Sequence, residues 1–320
     1  MRRIGKRRRK KQKKIIIISA LSLLLLITVG YAAFQTNLSI TAKGNVKEKS
    51  RVIQAWKETS QTDFHSDFYK QNIVSASFLD NADVPDNATE SWNVSEDKEH
   101  GGVMAWVVPN NEDSTKYDLY IGAKDGVIAN EDSKYLFALF TNLKVVDFAN
   151  NFDTANTVDM GAMFSMFNST TQSHVKSSLT TINFGTKFDT SNVTTMAGMF
   201  VYCSNLKEID FTKWDKWDTS KVTDMNLMFA ACTNLESINI SNFDTSHVTN
   251  MNRMFSTSPN LKEINLCSFD TTNVIDMQFM FAGTTNLNQI KVSSKWSDSQ
   301  ASKNNMFSGS GVSEVTTGQC

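Results

Sequence analysis

The feature that most constrains the fold of this chain is a motif that recurs along its C-terminal part. The motif FDTSNVTTMAGMF begins at Phe188 and returns as WDTSKVTDMNLMF at Trp217, FDTSHVTNMNRMF at Phe243 and FDTTNVIDMQFMF at Phe269, with a divergent copy at Phe152. The copies at Trp217, Phe243 and Phe269 start 26 residues apart. A fixed period of about 20 to 50 residues is typical of repeat proteins, in which each unit buries its apolar face against its neighbours. Such arrays usually offer one long surface to a partner.

A second motif with the apolar spacing L-x-x-L-x-L follows each Met-Phe pair. Its copies start at Leu143, Leu179, Leu206, Leu235, Leu261 and Leu287. In leucine-rich repeats this segment is a strand whose apolar residues point inward and whose intervening residues point outward. The sequence therefore predicts six stacked rungs.

The Met-Phe half of the repeat has a helical spacing. Val193, Met196, Met199 and Phe200 fall at i, i+3, i+6 and i+7, which places them on one face of a short helix. The predicted fold class is a β/α solenoid, a leucine-rich-repeat-like array of about 26-residue units with one short strand and one short helix or helical turn each. A β-rich N-terminal capping module and an N-terminal transmembrane helix complete the prediction.

Stacking would place Asp189, Asp218, Asp244 and Asp270 in one column of carboxylates. Like charges about 4.8 Å apart repel one another unless they are compensated. We expect each carboxylate to accept backbone N–H groups in its own turn. Calcium held between turns is the alternative, although the repeat lacks the glycine-rich nonapeptide of calcium-binding β-solenoids.

The first 34 residues differ from the rest in charge and hydropathy. Residues 1–14 hold ten basic residues and no acid, which leaves 22 basic against 33 acidic residues in the remainder. Residues 15–34 carry no charge and would span about 30 Å, the thickness of a membrane's hydrocarbon core. The pattern predicts a basic cytoplasmic segment at 1–14. It predicts either a transmembrane helix or a signal peptide cleaved after Ala32 at 15–34.

No internal period is found between the apolar segment and the repeats. Residues 35–50 are polar and are predicted to be a linker, whereas residues 51–134 contain strand-like runs such as GGVMAWVVP and KYDLYIGA. We expect 51–134 to be a β-rich module that covers the first repeat, because the end of a repeat array otherwise exposes its apolar layer to water. The repeats are expected to occupy 135–320.

The repeat FDTSxVTxMxxMF, followed by LxxIxL, resembles that of the BspA-like leucine-rich repeat surface proteins of bacteria. The resemblance covers residues 117–320. It implies a bacterial cell-surface protein, membrane-anchored or secreted, that acts in attachment or protein–protein binding, and it implies no catalytic residues. The sequence departs from the pattern in an insertion after Phe164, at Trp214–Lys216 and at Ile275.

Cysteines and histidines give no sign of a metal or catalytic site. Cys203 and Cys232 occupy the same place in consecutive repeats, where a disulfide is conceivable, but we expect buried thiols because free cysteine behaves as a small apolar residue. Cys267 and Cys320 are isolated in the sequence, and no spacing indicates zinc. The sequence predicts no enzyme, no cofactor and no small-molecule substrate.

The outward strand positions of the repeats form the predicted binding surface. They are Lys207, Glu208, Asp210, Glu236, Ser237, Asn239, Lys262, Glu263, Asn265, Asn288, Gln289 and Lys291. This face is mixed in charge and poor in aromatic residues, so an extended contact is expected rather than a deep pocket. The expected partner is a host or microbial surface protein or glycoprotein, not nucleic acid, and the membrane is contacted through the N-terminal segment.

Three alternatives stay open at this point. The twelve outward residues are, in the plainest interpretation, solvated strand positions without a partner. The repeats could instead be a structural spacer that displays the 51–134 module. The least favoured alternative is a surface enzyme within that module, where Asp63, His65 and Asp67 form the densest cluster of acids and histidine.

Overall fold

The computed structural model describes residues 51–297, 300–318 and 320, and residues 50–320 form one compact unit. The predicted basic segment, transmembrane helix or signal peptide, and linker at 1–50 lie outside the described residues. Among the described residues, no helix is both long enough and apolar enough to cross a membrane.

Short strands and turns make up most of the described chain. Helix is limited to α1, Asp67–Lys70, and to 3-10 helices at Asp63–His65 and Phe211–Lys213. The strands are β1 Ile73–Leu79, β2 Glu90–Asn93, β3 Met104–Pro109, β4 Tyr117–Gly122, β5 Val127–Ile128, β6 Val145–Asp147, β7 Phe152–Asp153, β8 Phe167–Asn168, β9 Ser173–His174, β10 Thr181–Asn183, β11 Glu208–Asp210, β12 Ser237–Asn239, β13 Glu263–Leu266, β14 Gln289–Val292 and β15 Thr316–Thr317.

The strands form five small sheets. One has six strands in the order β10-β6-β1-β4-β3-β2, one has three in the order β13-β14-β15, and the pairs β11-β12, β5-β7 and β8-β9 form the others. The L-x-x-L-x-L segments are strands β6 and β10 to β14, as predicted, and they pair in parallel within their sheets. The insertion after Phe164 forms the antiparallel hairpin β8-β9.

The predicted β/α solenoid with a transmembrane helix is wrong for the described part of the chain. Its sheets are small, and its α-helix is confined to the four residues of α1. The physical reason is a left-handed residue in the middle of each predicted helix, with φ of 62° at Gly198, 57° at Leu227, 54° at Arg253 and 58° at Phe279. An α-helix needs φ of about −63° at every position, so the chain turns at these residues instead of continuing.

Successive tight turns take the place of the predicted helix. The N–H of Met199 donates to the carbonyl of Met196 at 3.1 Å and closes one turn. The N–H of Gly198 points the other way and donates to the carbonyl of Asn226, in the next repeat, at 2.7 Å. Along this segment, N–H groups that close a turn within the repeat alternate with N–H groups that donate to the next repeat. The apolar residues therefore recur every three or four positions although the segment is not a helix.

Two columns of aromatic rings run through the core of the repeats. Neighbouring rings of the first column lie 5.5 to 6.0 Å apart and within 14° of parallel, and its members are Phe137, Phe164, Phe200, Phe229, Phe255, Phe281 and Phe307. The second column holds Phe188, Trp217, Phe243 and Phe269, with centroids 6.0 to 6.5 Å apart. Each fully buried ring contributes roughly 1.5–3 kcal/mol relative to exposure, so the columns are a principal source of cohesion between repeats.

The Asp-Thr pair at the start of each repeat joins it to the next one. The buried hydroxyl of Thr190 donates to the carbonyl of Asp218 and accepts from the N–H of Asp218, both at 2.7 Å. Thr154, Thr219 and Thr245 make the same two bonds to the Asp of the next repeat, and Thr271 makes them to Ser297. A buried threonine at this position therefore satisfies one backbone donor and one backbone acceptor of its neighbour.

The predicted compensation of the aspartate column is confirmed. The carboxylate of Asp218 accepts the N–H of Ser220 at 2.8 Å, two residues along its own turn. Asp189, Asp244 and Asp270 accept the equivalent N–H at 2.9 to 3.1 Å. These bonds contribute to the lowered pKa of the three carboxyl groups. Within the described ranges, no group of three or more acidic, cysteine or histidine residues could hold a metal ion.

The six-stranded sheet joins the 51–134 module to the first repeats. Strand β1 pairs in parallel with β6 on one side and with β4 on the other, and β6 pairs in parallel with β10. Strands β4, β3 and β2 continue the sheet in antiparallel order. The β1 strand of the module therefore extends the row of repeat strands by one position.

Candidate binding face on the repeat strands

The twelve residues predicted to bind lie on one surface, which we call the strand face. It comprises the outward residues of β6 and β10 to β14 together with the residue that precedes each strand. The parallel registers place Glu208 opposite Ser237, Asp210 opposite Asn239, Glu263 opposite Gln289 and Asn265 opposite Lys291. The alternate residues Ile209, Ile264 and Ile290 are buried, which is why their neighbours point to solvent.

Ion pairs cross the rungs of the strand face in its C-terminal half. The Lys262 Nζ lies 3.2 Å from the Glu236 carboxylate, and the Lys291 Nζ lies 3.9 Å from the Glu263 carboxylate. Exposed pairs of this kind contribute about 0–1 kcal/mol each. Their main effect is to neutralise the charge of this half of the surface.

Three shallow depressions follow one another along the strand face. The depression between β12 and β13 has a volume of about 480 Å³, and the one between β10 and β11 has about 440 Å³. A third, of about 400 Å³, lies beside the latter and is lined by Lys207 and Glu236 among others. Of the twelve predicted residues, all except Gln289 line at least one of the three.

The backbone hydrogen-bond ladder is interrupted where these depressions lie. Within sheets the rungs are joined, since the N–H of Glu236 donates to the carbonyl of Lys207 and that of Asn288 to Lys262, both at 2.8 Å. Strands β10 and β11 belong to different sheets, as do β12 and β13, so each is an edge strand. We call these interruptions the β10–β11 gap and the β12–β13 gap.

Trp214 is the main residue of this surface that the sequence did not single out as a binding residue. Its half-buried indole lines the β10–β11 gap and packs against Phe184 and Phe211, with ring centroids 4.7 and 5.8 Å away. The signal available in the sequence was the spacing from Phe188 to Trp217, which is 29 residues where later copies are 26 apart. The Thr180–Ile182 segment lines the same gap and was also missed.

The cysteines divide into a buried pair and a bonded pair. Cys203 and Cys232 are free and buried, as predicted, and burial raises the pKa of the Cys203 thiol and raises that of Cys232 to about 12. The interpretation of Cys267 and Cys320 as isolated is wrong, since they form a disulfide with their Cα atoms 5.7 Å apart. Their separation of 53 residues in the chain concealed the contact.

The acid and histidine cluster of the 51–134 module is divided, since His65 and the Asp63 side chain are buried whereas Asp67 is exposed. His65 is 1% exposed, and its two ring nitrogens lie 3.1 Å from the Asp63 carboxylate and 3.0 Å from the carbonyl of Leu136. Burial lowers the pKa of the His65 imidazole, and the contact with Asp63 opposes this. Asp67 accepts instead from the amide of Gln61 at 2.8 Å. Since Leu136 belongs to the first repeat, His65 connects the module to the repeats.

Sequence comparison matches the part of the chain that carries the strand face to one family of proteins. Residues 131–216 and 208–317 match the sequence model described as Mycoplasma protein of unknown function, DUF285. The two matches together cover more than half of the chain and include all six strands of the strand face. No curated protein and no solved structure matches the chain.

Proposed function

The chain belongs to the DUF285 family, and we propose that it is a bacterial cell-surface protein that mediates adhesion or protein–protein binding through the strand face. The observation that supports the proposal is the row of outward side chains along successive strands, most of which are exposed, while the alternate side chains are buried or partly buried. The proposal includes a relationship to the BspA-like surface proteins, whose repeat the sequence resembles. The proposed partner is a host or microbial surface protein or glycoprotein.

The dimensions of the strand face suit a protein partner better than a small molecule. Six strands about 4.8 Å apart give a surface at least about 24 Å long. Strands of three or four residues at about 3.3 Å per residue make the face about 10–13 Å wide, so it offers an extended, open contact rather than an enclosed cavity. The depressions along it are shallow and lined by lysine, glutamate, asparagine, serine and threonine side chains, which offer hydrogen bonds spread over an area.

The Cys267–Cys320 disulfide supports a location outside the cytoplasm. Disulfides persist in oxidising compartments and are rare in the cytosol, where thiols are kept reduced. The proposed location is therefore the cell surface or the surrounding medium. Mass spectrometry of the natural protein without reduction tests this point, because a chain carrying two free thiols at these positions would contradict it.

The experiment that tests the proposed function is charge reversal on the strand face. The full chain with Lys207→Glu, Lys262→Glu and Lys291→Glu is compared with the unchanged protein for binding to immobilised matrix and plasma glycoproteins. We expect binding to fall at least about tenfold without a lower melting temperature, because the three side chains are on the surface.

A matched control reverses three exposed lysines outside the strand face, Lys57, Lys124 and Lys187. This control has the same change in net charge, so it separates local contacts from long-range attraction. Equal loss of binding in both triple variants, or no loss in the strand-face variant, would contradict the proposed function.

A further inference from the structure

The two gaps in the strand face differ in whether their charged side chains already form ion pairs. At the β12–β13 gap, Lys262 and Glu236 are already paired with each other at 3.2 Å. At the β10–β11 gap, Lys207 and Glu208 have no ion-pair or hydrogen-bond partner for their side chains within the described part of the chain. A partner that binds at the β10–β11 gap can therefore use both charges without first separating an existing pair.

The strand face also exposes apolar surface around the β10–β11 gap. Val145, the outward residue of β6 opposite Thr181 of β10, is 39% exposed. Ile182 of β10 and Trp214 are half-buried and line the gap itself. An apolar centre surrounded by polar and charged groups is the arrangement typical of the energetic centre of a protein contact.

Trp214 combines a large apolar area with an unused hydrogen-bond donor. Its ring is held edge-on against Phe184 at 4.7 Å, so its position is fixed before any partner arrives. The indole Nε1–H has no hydrogen-bond partner among the described residues. Tryptophan is enriched among residues that dominate binding energy, because it buries much area at little cost in conformational entropy.

The backbone at the gap offers a second type of contact. Strand β10 is the outermost strand of the six-stranded sheet and β11 is an outer strand of the β11-β12 pair. Edge strands carry unpaired N–H and C=O groups, which bind most readily to another extended chain. The gap therefore favours an extended polypeptide over a folded domain surface.

We propose that the partner binds the β10–β11 gap through an extended segment of its own polypeptide, which places a large apolar or aromatic side chain against Trp214. The main chain of this segment bonds to an open edge of β10 or β11, and polar or charged side chains of the segment contact Lys207 and Glu208. This inference rests on the proposed function and names the part of the strand face that carries most of the binding energy.

The test uses a phage-displayed library of random linear dodecapeptides, selected on the full chain. We expect the enriched peptides to carry an aromatic or large aliphatic residue and to bind Trp214→Ala at least about tenfold more weakly than the unchanged protein. Because Trp214 also packs on the core, a second variant, Thr181→Lys, adds a charge at the exposed edge of the gap without removing a buried group. It is expected to weaken binding to a similar extent.

Trp296→Ala is the matched control, since Trp296 is also a half-buried tryptophan packed against the core of the repeats. Binding within about twofold of the unchanged protein is expected for it. The inference is overturned if the selection enriches no peptides. It is also overturned if the enriched peptides bind Trp214→Ala and Thr181→Lys as tightly as they bind the unchanged protein.

The same two variants separate this inference from the proposed function. If the triple lysine reversal abolishes glycoprotein binding while Trp214→Ala and Thr181→Lys leave it intact, the proposed function stands and this inference fails. If the triple reversal has no effect either, both fail.

Discussion

The repeats and the 51–134 module are stabilised in different ways, although they belong to one compact unit. In the repeats, the same few contacts recur in register, namely the aromatic columns and the threonine hydroxyl that bonds the following Asp residue. In the module, contacts occur once, such as His65 between Asp63 and Leu136 or the Tyr69 hydroxyl that donates to Glu90 at 2.5 Å. A recurring contact can be read from a repeating sequence, whereas a single contact cannot.

The largest effect in this comparison is expected at His65, which makes one of the non-recurring contacts between the module and the repeats. His65→Ala leaves the carbonyl of Leu136 and one oxygen of Asp63 without the ring, and it opens a cavity beside Trp56, on which His65 stacks at 4.3 Å. We expect the free energy of unfolding to fall by about 3–5 kcal/mol, measured by urea denaturation.

His100→Ala is the matched control for this prediction, because His100 also faces an aspartate, Asp97, at 3.2 Å but is exposed. A change within about 0.5 kcal/mol is expected there. A loss below about 1 kcal/mol for His65→Ala would mean that the module is held to the repeats mainly by its sheet pairing.

A smaller effect is expected at one copy of the recurring threonine contact. Thr219→Val keeps the shape of the side chain but removes the hydroxyl that donates to the carbonyl of Asp244 at 2.9 Å and accepts from its N–H at 2.8 Å. Thr219 is buried, and the valine methyl group keeps water away from the two backbone groups, so a loss of about 1–3 kcal/mol is expected in urea denaturation.

Thr249→Val provides the comparison within the adjoining repeat. Thr249 is exposed, and its hydroxyl donates to the carbonyl of Thr223 at 3.2 Å. Water can replace that bond, so a loss of less than about 0.5 kcal/mol is expected. If Thr219→Val and Thr249→Val lose the same free energy of unfolding, the contribution of the threonine hydroxyl to stability does not depend on its burial.

The sequence allowed the strands and the exposed face of the repeats to be predicted, but not the conformation between the strands. Spacing at i and i+3 places Met196 and Met199 on one side of a helix, but it also places them on one side of two successive turns. The deciding residues, Leu227, Arg253 and Phe279, have positive φ although they are not glycine. Nothing in their chemistry marks that conformation, since it is imposed by hydrogen bonds to the neighbouring repeat.

The candidate site was predictable to the extent that it repeats. Eleven of the twelve outward residues line the depressions because alternation along a strand fixes which side chains face solvent. The two gaps, and the position of Trp214 at one of them, are set by where the backbone hydrogen-bond ladder between strands is interrupted. The inward and outward alternation of side chains along a strand does not predict those interruptions. The Cys267–Cys320 bond joins residues 53 positions apart in the chain, and that contact occurs once.

The smallest predicted effect has the opposite sign and concerns the one tryptophan in the second aromatic column. Trp217 stands where Phe188, Phe243 and Phe269 stand in other repeats, and its buried indole Nε1–H has no hydrogen-bond partner within the described residues. Trp217→Phe removes that unsatisfied donor but also removes apolar area, so we expect a change between zero and about 1 kcal/mol of added stability in urea denaturation. The reciprocal Phe243→Trp is expected to destabilise by about 1–3 kcal/mol, because a larger ring overfills a column already in contact on both sides. A loss of more than about 2 kcal/mol for Trp217→Phe would show that this repeat is shaped around the indole and that the copies of the column are not interchangeable.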